Sequence, residues 1–224
     1  MDLVSAYTML DLNGACNATA ATYDRNRRAG AVNAWGNSLP AEEVPFGRIL
    51  QVAGVPFMLP DKGDGPDHVE AVGQSLPLPG RAPVEAIALL CFGEMGEQQA
   101  ILTVLGRNRT AVRVVATVPG WLAEPSSRQE PPPGHAAARQ DPTARQDPTA
   151  RQDPSGDPAV EVAFRCSHLH YPGGYEIAAF RPAVLSWLGR LPTPVEPVRL
   201  RLDTNPLFHL LAVTLLHGAV AHAG

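Results

Sequence analysis

Lysine is almost missing from this 224-residue chain: Lys62 is the single one, and every other Lys or Arg position is arginine. That bias reads as a genomic preference. The 18 basic and 22 acidic side chains leave a net charge of −4. No strong positive field draws the protein to nucleic acid or to an anionic membrane, and neither is expected as a partner. Aromatic residues are also scarce, at 6%. The three cysteines, Cys16, Cys91 and Cys166, are scattered and form neither a C-x-x-C pair nor a zinc spacing. They read as buried thiols in a reducing compartment. No apolar stretch reaches the ~18 residues of a membrane span. The most apolar segment, 207–220, is interrupted by His209, Thr214, His217 and Gly218. It reads as a buried last strand with a short tail. The N-terminal residues carry Asp2 and no basic region, so no secretory signal is expected and the expected location is cytoplasmic. Neither a G-x-S-x-G elbow nor a Gly-rich phosphate loop occurs. The chain therefore reads as a non-enzyme without a cofactor.

Proline and glycine are plentiful, at 23 and 20 residues. That density excludes a coiled coil or a helical bundle, because both break helices. Part of the excess lies in 124–158, where ARQDPT occurs at 138–143 and 144–149 and ARQDPS follows at 150–155. The segment holds no aromatic and no β-branched apolar residue. It cannot bury enough surface to offset the entropy of ordering it, and a disordered insertion loop is expected. Loop closure grows only logarithmically with length, so a fold tolerates such an insert.

The remainder reads as strands separated by turns. Residues 48–52 and 55–59 flank Ala53-Gly54, a hairpin signal. Further strands are predicted at 68–72, 84–92, 99–105, 110–118, 160–164, 175–180, 195–202 and 207–215. Val198, Leu200 and Leu202 alternate with Arg199 and Arg201, as on a half-buried strand. No helix of ten residues is predicted; Leu185 to Leu188 suggest one turn. Many short, evenly spaced strands indicate an all-β antiparallel sandwich of jelly-roll type. Its first part spans 1–123, the insert 124–158, the remainder 159–216 and a tail 217–224.

Four segments in order carry a resemblance: GNSLPAEEVP at 36–45, GVPFMLPD at 54–61, GQSLPLP at 73–79 and NPLFHLLAVTL at 205–215. This set resembles the galactose-binding-like, carbohydrate-binding β-sandwich modules appended to bacterial glycoside hydrolases. The resemblance implies a non-catalytic sandwich that binds a glycan at its loop rim. The stretch Asn33-Ala34-Trp35-Gly36 lacks the aspartate-glycine pair that such modules often carry before the first motif.

Sugar recognition needs aromatic faces and planar polar groups on a rim. Trp35, Trp121, Tyr23, Tyr171 and Tyr175 fall in or beside predicted loops, while Trp187 and Phe180 read as core. The candidate binding set is Trp35, Asn37, Glu42, Arg165, His168, His170 and Tyr171. The adjacent Glu42 and Glu43 point to opposite sides of an extended chain, so they are no glycosidase pair. Two other classes compete with glycan binding. One is a sandwich with a decayed site that serves a protein partner. The other, weaker, is a metal-dependent cupin-like enzyme: His168 and His170 share a strand face, and His209 and Glu176 would complete the ligand set.

Overall fold

A computed structural model describes residues 6–79, 82–123, 159–176 and 181–218. The expected disordered insert at 124–158 lies outside the described residues, as do 177–180, with Phe180, and 219–224. The described residues form sixteen strands: β1 Tyr7–Met9, β2 Ala21–Thr22, β3 Leu39–Pro40, β4 Ile49–Val52, β5 Val55–Met58, β6 Val69–Val72, β7 Ser75–Pro77 and β8 Val84–Gly93. Then come β9 Gln98–Gly106, β10 Ala111–Val118, β11 Ala159–Arg165, β12 Leu169–Tyr171, β13 Gly174–Glu176, β14 Ala183–Val195, β15 Pro197–Leu202 and β16 Thr204–His217. Among the described residues the only helical element is a single 3-10 turn at Asp24–Asn26.

Two antiparallel sheets form the sandwich. The larger runs β1-β16-β8-β14-β11, with β6 also paired to β16, and the smaller runs β10-β9-β15-β7. Both sheets combine strands from before residue 123 with strands from 159 onward. Ile87, Leu89 and Cys91 on one face of β8 meet Leu102, Val104 and Leu200 of the smaller sheet in the main core. Ala88, Leu90 and Phe92 on the opposite face meet a layer of short strands and loops that includes Leu39, Phe57, Leu59, Trp121 and Leu169. A strand covered on both faces reads as an unbroken apolar run rather than an alternation. That is the pattern at 84–92. β16 is likewise covered on both faces, with Val213 and Leu215 in one core and Leu211 and Ala212 in the other. Its buried Thr214 hydroxyl donates to the Pro56 carbonyl at 2.5 Å, which satisfies a polar group inside the apolar segment. No helix among the described residues is long and apolar enough to cross a membrane.

Two local expectations are corrected. Residues 185–188 are not a helical turn. They lie in β14, a 13-residue interior strand of the larger sheet, between β8 and β11. Gly189, Pro192 and Pro194 disguise it, because prolines ordinarily interrupt a ladder. Here the pairing with β8 skips from Arg190 to Val195, and the prolines fall in that irregularity. Val198 was expected inward with Leu200, yet it is 41% exposed. The pairing of β15 with β9 shifts between Pro197 and Arg199, which turns Val198 out.

Gly189 is required by its neighbour. A Cβ there would lie 2.0 Å from the Trp187 ring, which is fully buried. Gly189→Val is expected to cost roughly 1–3 kcal/mol through overpacking. Urea denaturation checks this, and an unchanged midpoint would show that Trp187 moves aside freely.

Candidate ligand-binding site

The turn at 33–37 begins the site. The Asn33 side-chain oxygen accepts the backbone N–H groups of Trp35 and Asn37, each at 3.1 Å, and the Gly36 N–H closes the turn on the Asn33 carbonyl. Asparagine suits this task because its short side chain reaches its own backbone two residues on. Gly36 takes a positive φ of 78°, and a Cβ there would lie 2.6 Å from the Pro172 ring. The turn thus packs directly under the segment that follows Tyr171. Reciprocal backbone hydrogen bonds between Ser38 and His170 fix that approach. On the other side Gly93 and Gly120 form a parallel bridge, and the Trp121 N–H donates to the Gly93 carbonyl at 2.8 Å.

These pieces enclose an open cleft of about 550 Å³, whose lining includes Trp35, Asn37, Glu94, Met95, Trp121 and Tyr171. Small-molecule sites fall in this size range. Trp35 stands 56% exposed, whereas Trp121 is 2% exposed and stacks on Phe92 with centroids 5.4 Å apart. Asn37 is buried, and its side-chain Nδ2 finds no partner among the described residues. A buried amide donor left open in a cleft wall is costly unless something accepts from it. Burial, reinforced by the charge of Glu70, holds the Glu94 carboxyl above the ordinary carboxylate range.

Three of the seven candidate residues, Trp35, Asn37 and Tyr171, therefore share one cleft. The other four do not line it. Glu42 accepts the Asp24 N–H at 2.9 Å and lines a separate polar hollow with Arg48, Asp61 and Lys62. Tyr23 lies beside the same hollow under the Arg25 guanidinium, 4.4 Å from the ring centroid. Arg165 donates through Nη1 to the Arg181 carbonyl at 2.9 Å. His168 and His170 sit side by side, ring centroids 5.2 Å apart, as the H-x-H spacing predicts. His170 Nδ1 is 3.0 Å from the Thr22 hydroxyl, which pairs in turn with the Ser38 hydroxyl. His209 does not join them. Its Nδ1 lies 2.9 Å from His68 Nε2 in a different network. Among the described residues no three His, Cys, Asp or Glu side chains converge as metal ligands.

A sequence model for the AziU2-like beta-sandwich domain matches residues 6–219. The chain belongs to that family. No curated protein matches the chain. The family match speaks for a sandwich and not for the galactose-binding-like type suggested by the four motifs.

Within this AziU2-like sandwich, Ser167, His168 and Glu43 form a cluster that resembles a hydrolytic triad in composition only. Glu43 accepts from the Ser167 backbone N–H at 2.6 Å and also from its hydroxyl. His168 presents the same nitrogen, Nδ1, to the Ser167 hydroxyl at 2.8 Å and to Glu43 at 3.3 Å. A triad uses opposite ring nitrogens for the nucleophile and the carboxylate. Burial raises the Glu43 carboxyl, but the two Ser167 hydrogen bonds and the neighbouring histidines outweigh it, and the group sits below its ordinary value. The cluster binds residue 43 to the segment before β12 and so supports the wall that carries Tyr171. The thiols offer no nucleophile either. Burial pushes Cys16 up to about 11 and Cys166 up to about 12, and raises Cys91 as well.

The sequence reading missed Asn33, Glu94 and the Lys62, Asp67 and His68 network, and placed His209 with His168 and His170 rather than in that network. Lys62 Nζ lies 3.1 Å from Asp67 Oδ2, with side-chain exposures of 6% and 0%. A lone lysine followed shortly by Asp-His was the available signal, and reading the lysine scarcity as genomic bias hid it.

Proposed function

We propose that this AziU2-like domain is a non-catalytic binding module that takes a small hydroxylated, sugar-type ligand in the cleft of Trp35, Asn37 and Tyr171. One observation carries the reading: three aromatic residues and the open Asn37 amide line the same 550 Å³ cleft in a chain poor in aromatics. Aromatic rings stack on the C–H faces of a pyranose, and the amide donates to a hydroxyl or carbonyl oxygen. The mostly exposed Trp35 is an anchor that truncation can remove without disturbing a core. Trp35→Ala is expected to weaken ligand binding about tenfold or more while leaving the melting temperature unchanged. Titration calorimetry against a panel of mono- and oligosaccharides, with a thermal melt of the variant beside it, tests this. Wild-type protein that binds no member of the panel, or a Trp35→Ala variant that binds as well as wild type, counts against the reading.

A further inference from the structure

Among the described residues lining the cleft, Glu94 is the one with a formal charge. Among the described residues the lining contains no Arg, Lys or His. No described side chain forms an ion pair or hydrogen bond with the Glu94 carboxylate; its described electrostatic neighbour is Glu70, of like charge. For a half-buried carboxylate whose described electrostatic neighbour repels it, a cation would supply a favourable partner. The same cleft is lined by two tryptophans, a tyrosine and Met95. Aromatic rings attract cations through their electron-rich faces, and a tryptophan does so best. A ring set with one carboxylate and no basic residue disfavours an anion, which would meet Glu94 without compensation.

We propose that the ligand of this cleft carries an ammonium group, recognised by Glu94 together with Trp35 and Tyr171. The inference deepens the binding reading above and rests on it for the location of the site. It narrows the ligand to an amine-bearing compound whose oxygen can also accept from Asn37.

The test titrates full-length wild type and Glu94→Gln with glucose, N-acetylglucosamine, glucosamine and choline, by calorimetry and tryptophan fluorescence. Wild type is expected to bind glucosamine at least tenfold more tightly than glucose or the acetylated sugar, whose amine is masked. Glu94→Gln keeps the shape of the side chain, and it is expected to bring that preference within about twofold. Melting curves confirm that the variant folds. Equal binding of neutral and amine-bearing sugars overturns the ammonium and leaves the sugar reading standing, as does a preference that survives in Glu94→Gln. Choline binding that depends on Glu94, with no sugar bound, supports the ammonium and overturns the sugar-type ligand. Binding of none of the four overturns both.

Discussion

Asp67→Ala is expected to destabilise the protein by about 3–5 kcal/mol, the largest effect of any single substitution considered for this chain. The Asp67 side chain is fully buried, and every direction around its carboxylate is occupied. One oxygen accepts the Ala20 N–H at 2.8 Å and lies 3.1 Å from His68 Nδ1. The other accepts the Ala21 N–H at 3.0 Å and pairs with Lys62 Nζ at 3.1 Å. Truncation leaves two backbone donors and the His68 ring without the carboxylate, and leaves the nearly buried ammonium only the Gly63 carbonyl. The cost is mainly that of desolvated groups left unpaired, rather than the intrinsic strength of the pair. Two comparisons separate these contributions. Asp67→Asn retains an acceptor and the shape but not the charge, so it should lose less than Asp67→Ala. Lys62→Met combined with Asp67→Ala should lose less than the sum of the two single changes, because the stranded ammonium is gone. Urea denaturation of the four variants measures all of this. A loss below 1 kcal/mol for Asp67→Ala would show that water reaches the site and replaces the carboxylate.

The same carboxylate links stability to the cleft. It fastens residues 20 and 21, at the start of β2, to the entry of β6. β2 pairs in parallel with β3, and the Ser38 that precedes β3 bridges His170, beside Tyr171. Loss of Asp67 should therefore loosen the wall that holds Trp35 and Tyr171, so that ligand binding weakens in the folded fraction as well.

Features set by local chemistry were legible in the sequence. The hairpin at 49–58 follows from Ala53 and Gly54, which adopt φ of 48° and 78°, the left-handed pair that a tight two-residue turn demands. The β9–β10 hairpin and the apolar β8 follow from spacing and from double-sided burial. β14 was not legible, because its glycine and prolines are tolerated only through the irregular pairing with β8, a long-range fact. The cleft divides in the same way. Trp35, Asn37 and Tyr171 were readable as polar and aromatic residues in predicted loops. Glu94 was not, since nothing local distinguishes a carboxylate at a strand end from any solvated acid. Only the Gly93–Gly120 bridge brings it opposite Tyr171 and Trp35. The Lys62–Asp67 pair was hidden because glycine and proline separate the two residues and nothing local shows that the fold buries Asp67 and His68.

Mild acid is expected to destabilise the protein, and His209 is the main cause. Its ring is buried, 4.7 Å from the Phe92 ring and nearly parallel to it, and its Nε2 has no partner among the described residues. Asp67 can only accept, so His68 Nδ1 donates to it. The other ring nitrogen, His68 Nε2, lies 2.9 Å from His209 Nδ1, close enough to accept from a His209 Nδ1–H. In this arrangement neutral His209 leaves only a bare acceptor against the phenyl ring. Protonation would instead bury an unpaired N–H and a charge. Burial, with the nearby His68, accordingly pushes His209 down to about 3, against about 6.5 in an unfolded chain. His170 is also lowered, by burial and by His168. A histidine that the fold keeps neutral contributes its full stability above about pH 6.5 and loses it as the pH falls. The slope approaches 1.4 kcal/mol per pH unit for one such group. Between pH 7 and 5 this predicts a loss of roughly 2 kcal/mol from His209 alone. His209→Asn can keep a donor toward His68 yet cannot titrate. It should start less stable, because Phe92 loses one of its two stacking partners, but its stability should fall less steeply with acid. Urea midpoints at pH 7, 6 and 5 for wild type and variant decide the matter. A flat wild-type profile, or equal slopes in the two proteins, would mean that the proton goes elsewhere.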